Sequence, residues 1–97
     1  MKKEHHKELI VAVSGYFDPL HVGHLEYFQL AKQLGDKLYV IVNNDVQAVL
    51  KKQTSFMNEN DRLEIIKSLS IVDNALLSID QDKSVSKTLE KIKPDIF

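Results

Sequence analysis

Short apolar segments rich in β-branched residues alternate with stretches whose apolar residues recur at helical spacing, and this alternation restricts the fold more than any other feature. The apolar segments lie at 9–13, 37–42 and 75–79, and a fourth begins at 95. Strands and helices that alternate with short connections imply right-handed crossovers, which place the strands parallel in one sheet. The sequence therefore predicts an α/β fold with a doubly wound parallel sheet.

Four helical segments fill the intervals between these strands. They are a helix from Val22 to Leu34, a short turn from Val46 to Leu50, a helix that follows Asn58 as its N-cap, and a helix that Ser84 or Ser86 caps and Pro94 stops. Residues 51–55 are expected to form a polar loop. We assign residues 9–97 to one domain and residues 1–8 to a flexible, charged N-terminus. Since the fourth strand is so short, we expect a sheet truncated at the C-terminus or completed by a partner.

The composition narrows the class of protein further. The chain has 97 residues, of which 43% are hydrophobic and 28% are charged, and its net charge is −1. This balance argues against nucleic acid and membrane surfaces as partners, because both are bound largely through an excess of basic residues. Cysteine is absent, which excludes disulfides, thiolate zinc sites and cysteine nucleophiles. We find neither the apolar region of a signal peptide nor an apolar stretch of transmembrane length, and we expect a cytoplasmic protein.

The first strand runs into residues 15–24, a segment with distinctive chemistry that reads G-Y-F-D-P-L-H-V-G-H. His21 and His24 stand three residues apart at a helix start, so both imidazoles lie on one face. A helix N-terminus attracts phosphate through its unpaired N–H groups and its dipole, and imidazoles can add further donors there. Gly23 leaves the surface between the histidines free of a side chain, which gives a phosphate group room.

The same residues also admit plainer interpretations. The two histidines could be ordinary, partly exposed residues at a helix start, or half of a metal site. We predict no metal site, because a third ligand is not evident in the sequence. Other candidate residues have structural alternatives: Asp18 could cap a turn, Lys51 and Lys52 could be a solvated pair, and Arg62 could organise the start of its helix.

Residues 15–24 resemble the signature of the cytidylyltransferase-like nucleotidyltransferases, G-x-F-D-x-x-H-x-G-H. Further elements of that family agree in order, namely A-x-x-L-G-D-x-L at 31–38, a strand end V-N-N-D at 42–45, a helix start at 58–62, I-V-D at 71–73 and K-P-D-I at 93–96. The resemblance extends over about residues 9–97. It implies a Rossmann-like sheet of the HxGH nucleotidyltransferase type. It also implies transfer of a nucleotidyl group from a nucleoside triphosphate, carried with Mg²⁺, to a phosphomonoester, with release of pyrophosphate.

The resemblance also implies roles for individual residues. His21 and His24 would stabilise the triphosphate in the transition state. Lys51 would contact the phosphates of both substrates, and Lys52 is the alternative for this role. The nucleotide pocket would comprise Gly15, Tyr16, Phe17, Asp18, His21, Gly23 and His24, and the acceptor site would comprise Asp45, Lys51 and Lys52. The expected donor is CTP, with ATP as the alternative, and the expected acceptor is a small phosphomonoester such as a polyol or sugar phosphate.

The chain departs from the family pattern at several positions. Tyr16 replaces a small or hydroxyl-bearing residue of many relatives, and Gln53 and Thr54 stand where some relatives have loop lysines. The sequence also stops before the Gly-Gly-Asp-type loop and the later Ser/Thr-rich helix start of the family. Two other functions therefore stay open: a nucleotide-binding module without turnover, and a structural α/β domain that completes its sheet with another chain. Homodimers are a further expectation, since relatives are often dimers.

Overall fold

A computed structural model describes residues 7–52 and 57–97, with only the backbone of Lys52. Three strands alternate with four helices in the predicted order. The elements are β1 (Ile10–Gly15), α1 (Val22–Lys32), β2 (Lys37–Val42), α2 (Asp45–Lys52), α3 (Glu59–Lys67), β3 (Asn74–Leu77) and α4 (Ser86–Ile92). Within these described ranges, no helix is long and apolar enough to cross a membrane.

The sheet is parallel, as predicted, with the strand order β1-β2-β3. Ile10 pairs with Lys37 across the first ladder, and Tyr39 pairs with Asn74 across the second. Ile96 forms one parallel bridge with Val11 on the other side of β1. The strand predicted from residue 95 is therefore reduced to a single bridging residue. Beside this bridge, the carboxylate of Asp95 accepts the Ile10 N–H at 2.8 Å.

Helices cover both faces of the sheet, which confirms the doubly wound arrangement. The larger core lies under α1 and α3, where Phe28 and Ile66 pack with Leu38 and Val40 of β2. The opposite face carries α4, whose apolar side chains pack on β1, β2 and β3; the cluster comprises Val85, Leu89, Ile92, Ala12, Ile41 and Leu76. This division places the carboxyl ends of β1 and β2 between layers of helices, where ligands bind in open α/β sheets.

Several predicted boundaries move. β1 runs to Gly15 instead of residue 13, and β3 ends at Leu77 instead of residue 79. α1 ends at Lys32, so Leu34 falls outside the helix and is 59% exposed. α2 continues through Lys52, which places Lys51 in its last turn and corrects the polar loop predicted from residue 51. The rest of that predicted loop, residues 53–55, lies outside the described residues.

The helix caps confirm one prediction and correct another. Asn58 caps α3, because its side-chain oxygen accepts the Asp61 N–H at 2.9 Å. Neither predicted serine caps α4 in this way. The carboxylate of Asp80 accepts the backbone N–H groups of Lys87 and Thr88 at 2.8 and 3.0 Å instead. Asp80 lies six residues before α4 in the sequence. Its carboxylate reaches the first N–H groups of the helix because the chain turns back after β3.

Candidate active site

The carboxyl ends of β1 and β2 are joined by one buried guanidinium group. Arg62 of α3 is fully buried, and its Nη1 donates to the carbonyl oxygens of Tyr16 at 2.8 Å and Asn43 at 2.7 Å. Its Nε donates to the Met57 carbonyl at 3.0 Å, and its Nη2 donates to Asp45 Oδ1 at 2.7 Å. Arg62 therefore organises both strand ends as well as its own helix start, and these four bonds occupy its charged head.

Two histidines form the start of α1. His21 is the N-cap residue, and its Nδ1 accepts the Gly23 N–H at 3.1 Å. His24 reaches back, and its Nδ1 accepts the His21 N–H at 3.0 Å. The two bonds make a reciprocal capping box in which imidazoles replace the usual hydroxyl and carboxylate groups. The imidazoles consequently lie close together, with ring centroids 3.9 Å apart.

This cap determines which ring nitrogen each histidine offers to a ligand. Because both Nδ1 atoms are acceptors, each neutral imidazole carries its proton on Nε2, a donor with no hydrogen-bond partner among the residues that the structure describes. Burial lowers the pKa of His24, and repulsion from His21 lowers it further. The His24 imidazole is therefore neutral near pH 7. Two of the main-chain donors at this helix start are already used, since His24 N–H donates to the His21 carbonyl at 3.0 Å and Gly23 N–H to the His21 ring.

The structure gives the glycine at position 23 a second role, besides the room for phosphate predicted from the sequence. A Cβ at position 23 would lie 2.8 Å from His21 Cε1 and 3.1 Å from its Nδ1, inside normal contact distance. The missing side chain thus lets the His21 ring fold back over the helix start. Room for phosphate stays a prediction, whereas room for the cap is a feature of the fold.

Phe17 supports the histidines from below. It is 2% exposed, and its ring packs edge-on against His24 and Phe28, with centroids 5.0 and 5.5 Å away. Its backbone has a φ of 53°, which costs about 1–3 kcal/mol in a residue other than glycine. Burying the aromatic ring offsets this strain. Gly15 accommodates that ring, because a Cβ there would lie 2.7 Å from Phe17 Cζ.

Two adjoining cavities open at the carboxyl end of β1. The first, of about 360 Å³, is lined by both histidines together with Asp18 and Tyr27. The second, of about 480 Å³, extends toward the start of α4 and is lined by Lys83, Ser84, Ser86 and Phe97. Both cavities share four lining residues, Ser14, Gly15, Tyr16 and Lys51.

Lys51 and Tyr16 mark the boundary between the two cavities. Lys51 Nζ lies 4.6 Å above the centre of the Tyr16 ring, within the range of a cation–π contact. Burial raises the pKa of the Tyr16 phenol, while the Arg62 guanidinium acts in the opposite direction. The phenol is therefore neutral at physiological pH, and its ring holds a cation where the cavities meet.

The remaining predicted residues occupy different surroundings. Asp18 lines the histidine cavity, and its Oδ1 accepts the Met57 N–H at 2.7 Å. Asp45 lines neither cavity described above and pairs with Arg62 instead. The side chain of Lys52 lies outside the described residues. The structure thus brings most of the predicted nucleotide pocket together with Lys51. Asp45 instead belongs to the group of residues that Arg62 holds at the ends of β1 and β2.

A buried polar network beside the second cavity was not predicted. Gln47 and Asp80 are 0% and 2% exposed. Gln47 Nε2 donates to the carbonyl oxygens of Asp82 and Ser84, both at 2.7 Å. Burial acts to raise the pKa of Asp80, but hydrogen bonds from Thr88 and Lys87 outweigh it and lower the pKa overall. The sequence indicates this network only through N-N-D at 43–45, at the end of β2. Asparagine and aspartate are also frequent in surface turns, so this pattern does not predict burial.

No group of three or more histidine, aspartate or glutamate side chains in residues 7–52 and 57–97 is placed to hold a metal ion. One carboxylate, Asp18, lines the histidine cavity.

Comparisons with known proteins agree on the type of domain. A family model described as cytidylyltransferase-like matches residues 12–97. The chain is 41% identical over 87 residues to the FAD synthase of Thermoplasma volcanium, an alignment that covers 90% of this chain and 60% of the relative. It is 40% identical over 96 residues to the bifunctional protein HldE of Helicobacter pylori strain Shi470, covering 97% of this chain and 20% of the relative.

A solved structure gives the same answer for the fold. The lipopolysaccharide core biosynthesis protein from Thermoplasma volcanium superposes with a TM-score of 0.84 at 37% identity, over 92% of this chain and 71% of that chain. The chain spans about 60% of the length of the FAD synthases it matches. The fold that carries the two cavities of this chain is therefore one that it shares with these relatives.

Proposed function

The chain belongs to the cytidylyltransferase-like family, and from this premise we propose that it transfers a nucleotidyl group from a nucleoside triphosphate to a small phosphomonoester. An oxygen of the acceptor phosphate attacks the α-phosphorus, the bond between that phosphorus and its β-bridging oxygen breaks, and pyrophosphate leaves. The observation that carries the proposal is the pair of imidazoles whose Nδ1 atoms cap α1 and whose Nε2–H groups are left to donate.

In this proposal His21 and His24 act on the triphosphate. Negative charge grows on the oxygens of the α-phosphate during the attack, and fixed N–H donors stabilise that charge without reorganising. The capping bonds hold both rings before substrate arrives. Neutral imidazoles suffice for the task, so no proton transfer to the histidines is required.

Lys51 would serve the two reacting phosphates together. It lines both cavities, so its ammonium group can neutralise charge on the α-phosphate and on the attacking phosphate. We place the triphosphate in the histidine cavity and the body of the acceptor in the second cavity. This arrangement uses positioning and charge stabilisation, the main sources of catalysis in phosphoryl-type transfers. Mg²⁺ would enter as part of the nucleotide substrate.

The donor nucleotide has two candidates. FAD contains an adenylyl group joined to flavin mononucleotide, so the FAD synthases among the relatives favour ATP. The resemblance of the sequence motifs to the cytidylyltransferase-like family predicts CTP. We propose ATP as the first donor to test and CTP as the second. The cytoplasmic location, the homodimer and the domain bounds stay predictions.

The test is release of pyrophosphate from the chain with Mg²⁺ and either ATP or CTP. The acceptor panel contains flavin mononucleotide, glycerol 3-phosphate and a sugar 1-phosphate. We expect release that needs one nucleotide and one acceptor together. Release from neither nucleotide with any acceptor, in a sample with a cooperative unfolding transition, would leave the nucleotide-binding module without turnover as the better account.

A matched variant separates catalysis from folding. In His24→Asn, the side-chain oxygen takes the place of Nδ1 and keeps the capping bond, but the Nε2–H donor is lost. Removing one preorganised donor typically lowers turnover about 10²–10³-fold. We expect that loss in a protein that still unfolds cooperatively in urea. Wild-type turnover in His24→Asn would refute the role given to the imidazole.

A further inference from the structure

The second cavity has an unbalanced charge. Two lysines, Lys51 and Lys83, line it together with serine hydroxyl groups, and no aspartate or glutamate side chain lines it. Neither lysine has a carboxylate within ion-pair distance among residues 7–52 and 57–97. A concave surface with two unneutralised cations attracts ligands with more than one negative charge.

Lys83 is held in place although its side chain is exposed. It lies between Asp82 and Ser84, and the carbonyl oxygens of both neighbours accept bonds from Gln47 Nε2 at 2.7 Å. The turn is closed from the other side by Asp82 Oδ1, which accepts the Ser84 N–H at 3.0 Å and the Ser84 hydroxyl at 2.8 Å. The backbone on either side of the lysine is therefore fixed.

The same glutamine ties the two lysines to each other. Gln47 and Lys51 are four residues apart on α2 and share one face of that helix. Gln47 is fully buried, and its Oε1 accepts bonds from Asn43 Nδ2 at 3.1 Å and from the Asn44 N–H at 3.0 Å. A single satisfied amide thus sets the position of the turn that carries Lys83 against the helix that carries Lys51.

We propose that Lys83 is a specificity-determining residue, which selects acceptors that carry an anionic group besides the phosphate that reacts. The proposal rests on the proposed function, in which Lys51 serves the reacting phosphate at the boundary. Lys83 lines the second cavity and not the histidine cavity, so it faces the far part of the acceptor. Gln47 is a positioning residue in this scheme. The fitting ligand class is a small phosphorylated sugar acid or a bisphosphate.

The test compares two ligands that share the phosphate and the carbon chain length. In 3-phosphoglycerate a carboxylate replaces the hydroxymethyl group of glycerol 3-phosphate. Dissociation constants are measured by calorimetry on the whole chain at low salt. We expect 3-phosphoglycerate to bind about tenfold more tightly, the effect of one charge-assisted hydrogen bond. Lys83→Met should remove the preference, and Lys83→Arg should keep most of it.

Lys87→Met provides the matched control, because Lys87 is an exposed lysine of α4 that lines neither cavity. It should leave the preference unchanged. Equal binding of the two ligands, no binding of either, or a preference that survives in Lys83→Met would each overturn the proposal. Pyrophosphate release is scored separately. Release without an anionic preference would sink only the role of Lys83, whereas the preference without release would sink only the proposed function.

Discussion

Replacing Arg62 with methionine tests how much of the fold depends on one buried cation. Methionine has a similar length and no charge, so the substitution removes the hydrogen bonds while filling much of the space. Three carbonyl oxygens lose a donor, those of Tyr16, Asn43 and Met57. Asp45 loses its ion-pair partner, but its side chain is 40% exposed and can be hydrated instead.

The free energy of unfolding should fall by about 4 kcal/mol. A buried carbonyl without a donor costs about 1–3 kcal/mol. The Asn43 carbonyl belongs to a residue that is 3% exposed and takes a value near the middle of that range. Tyr16 and Met57 are half-buried, so water can reach their carbonyls and each takes the lower value.

Urea unfolding followed by circular dichroism measures the change. A chain of this size has a total stability of about 5–15 kcal/mol, so Arg62→Met should unfold at a much lower urea concentration or be unfolded without urea. Arg62→Lys keeps the charge but lacks the several N–H donors of the guanidinium group. Its free energy of unfolding should lie between those of Arg62→Met and wild type. Lys67→Met, on the exposed face of the same helix, should change stability by less than about 0.5 kcal/mol. A loss below about 1 kcal/mol in Arg62→Met would refute the reasoning.

Three further perturbations address the cap, the α4 anchor and the cavity boundary. Gly23→Ala should lower the free energy of unfolding by about 1 kcal/mol, although alanine is the better helix former, because its Cβ would meet the His21 ring at 2.8 Å and open the cap. An unchanged or raised urea midpoint would contradict this. Asp80 has a lowered pKa in the folded state, so it stabilises the fold above its unfolded pKa of about 3.9, and that stability is lost as the pH falls through the folded pKa; Asp80→Asn should be less stable than wild type at pH 7 and show a shallower loss between pH 5 and pH 2. Tyr16→Ser removes the ring beneath Lys51 and should raise the acceptor KM about two- to fivefold, whereas Tyr16→Phe should stay within twofold of wild type; equal effects of the two variants would rule out the cation–π contact as the cause.

The sheet could be predicted because its information is local. Each strand is a short apolar run, and each crossover carries its own helical period, so β1, β2 and β3 need no knowledge of distant residues. The proximity of His21 and His24 also follows from helical spacing alone. Their use of Nδ1 for the cap does not follow from it. Ring orientation depends on Gly23 and on the support of Phe17, which only the folded loop reveals.

The buried polar groups could not be predicted. Arginine is exposed by default, and the partners of Arg62 are mostly carbonyl oxygens, which every residue possesses and no sequence pattern marks. Gln47 presents the same difficulty, since its partners at 82 and 84 belong to a loop on the far side of β3. Asp80 replaced the expected serine cap for a related reason, because the fold brings the carboxylate to α4 from a position outside the usual capping pattern.

The cap that His21 and His24 form predicts which substitutions at these two positions a genetic screen would retain. At positions 21 and 24 a genetic screen for folding and a screen for turnover would retain different residues. Folding rewards any short acceptor at the helix start, so asparagine, serine and aspartate would survive the first screen. Turnover rewards a donor on the outer side of the ring, which those residues lack. Deep mutational data that show this divergence at both positions, and no such divergence at the exposed residues of α3, would separate the role of the imidazoles as donors from their role in the cap.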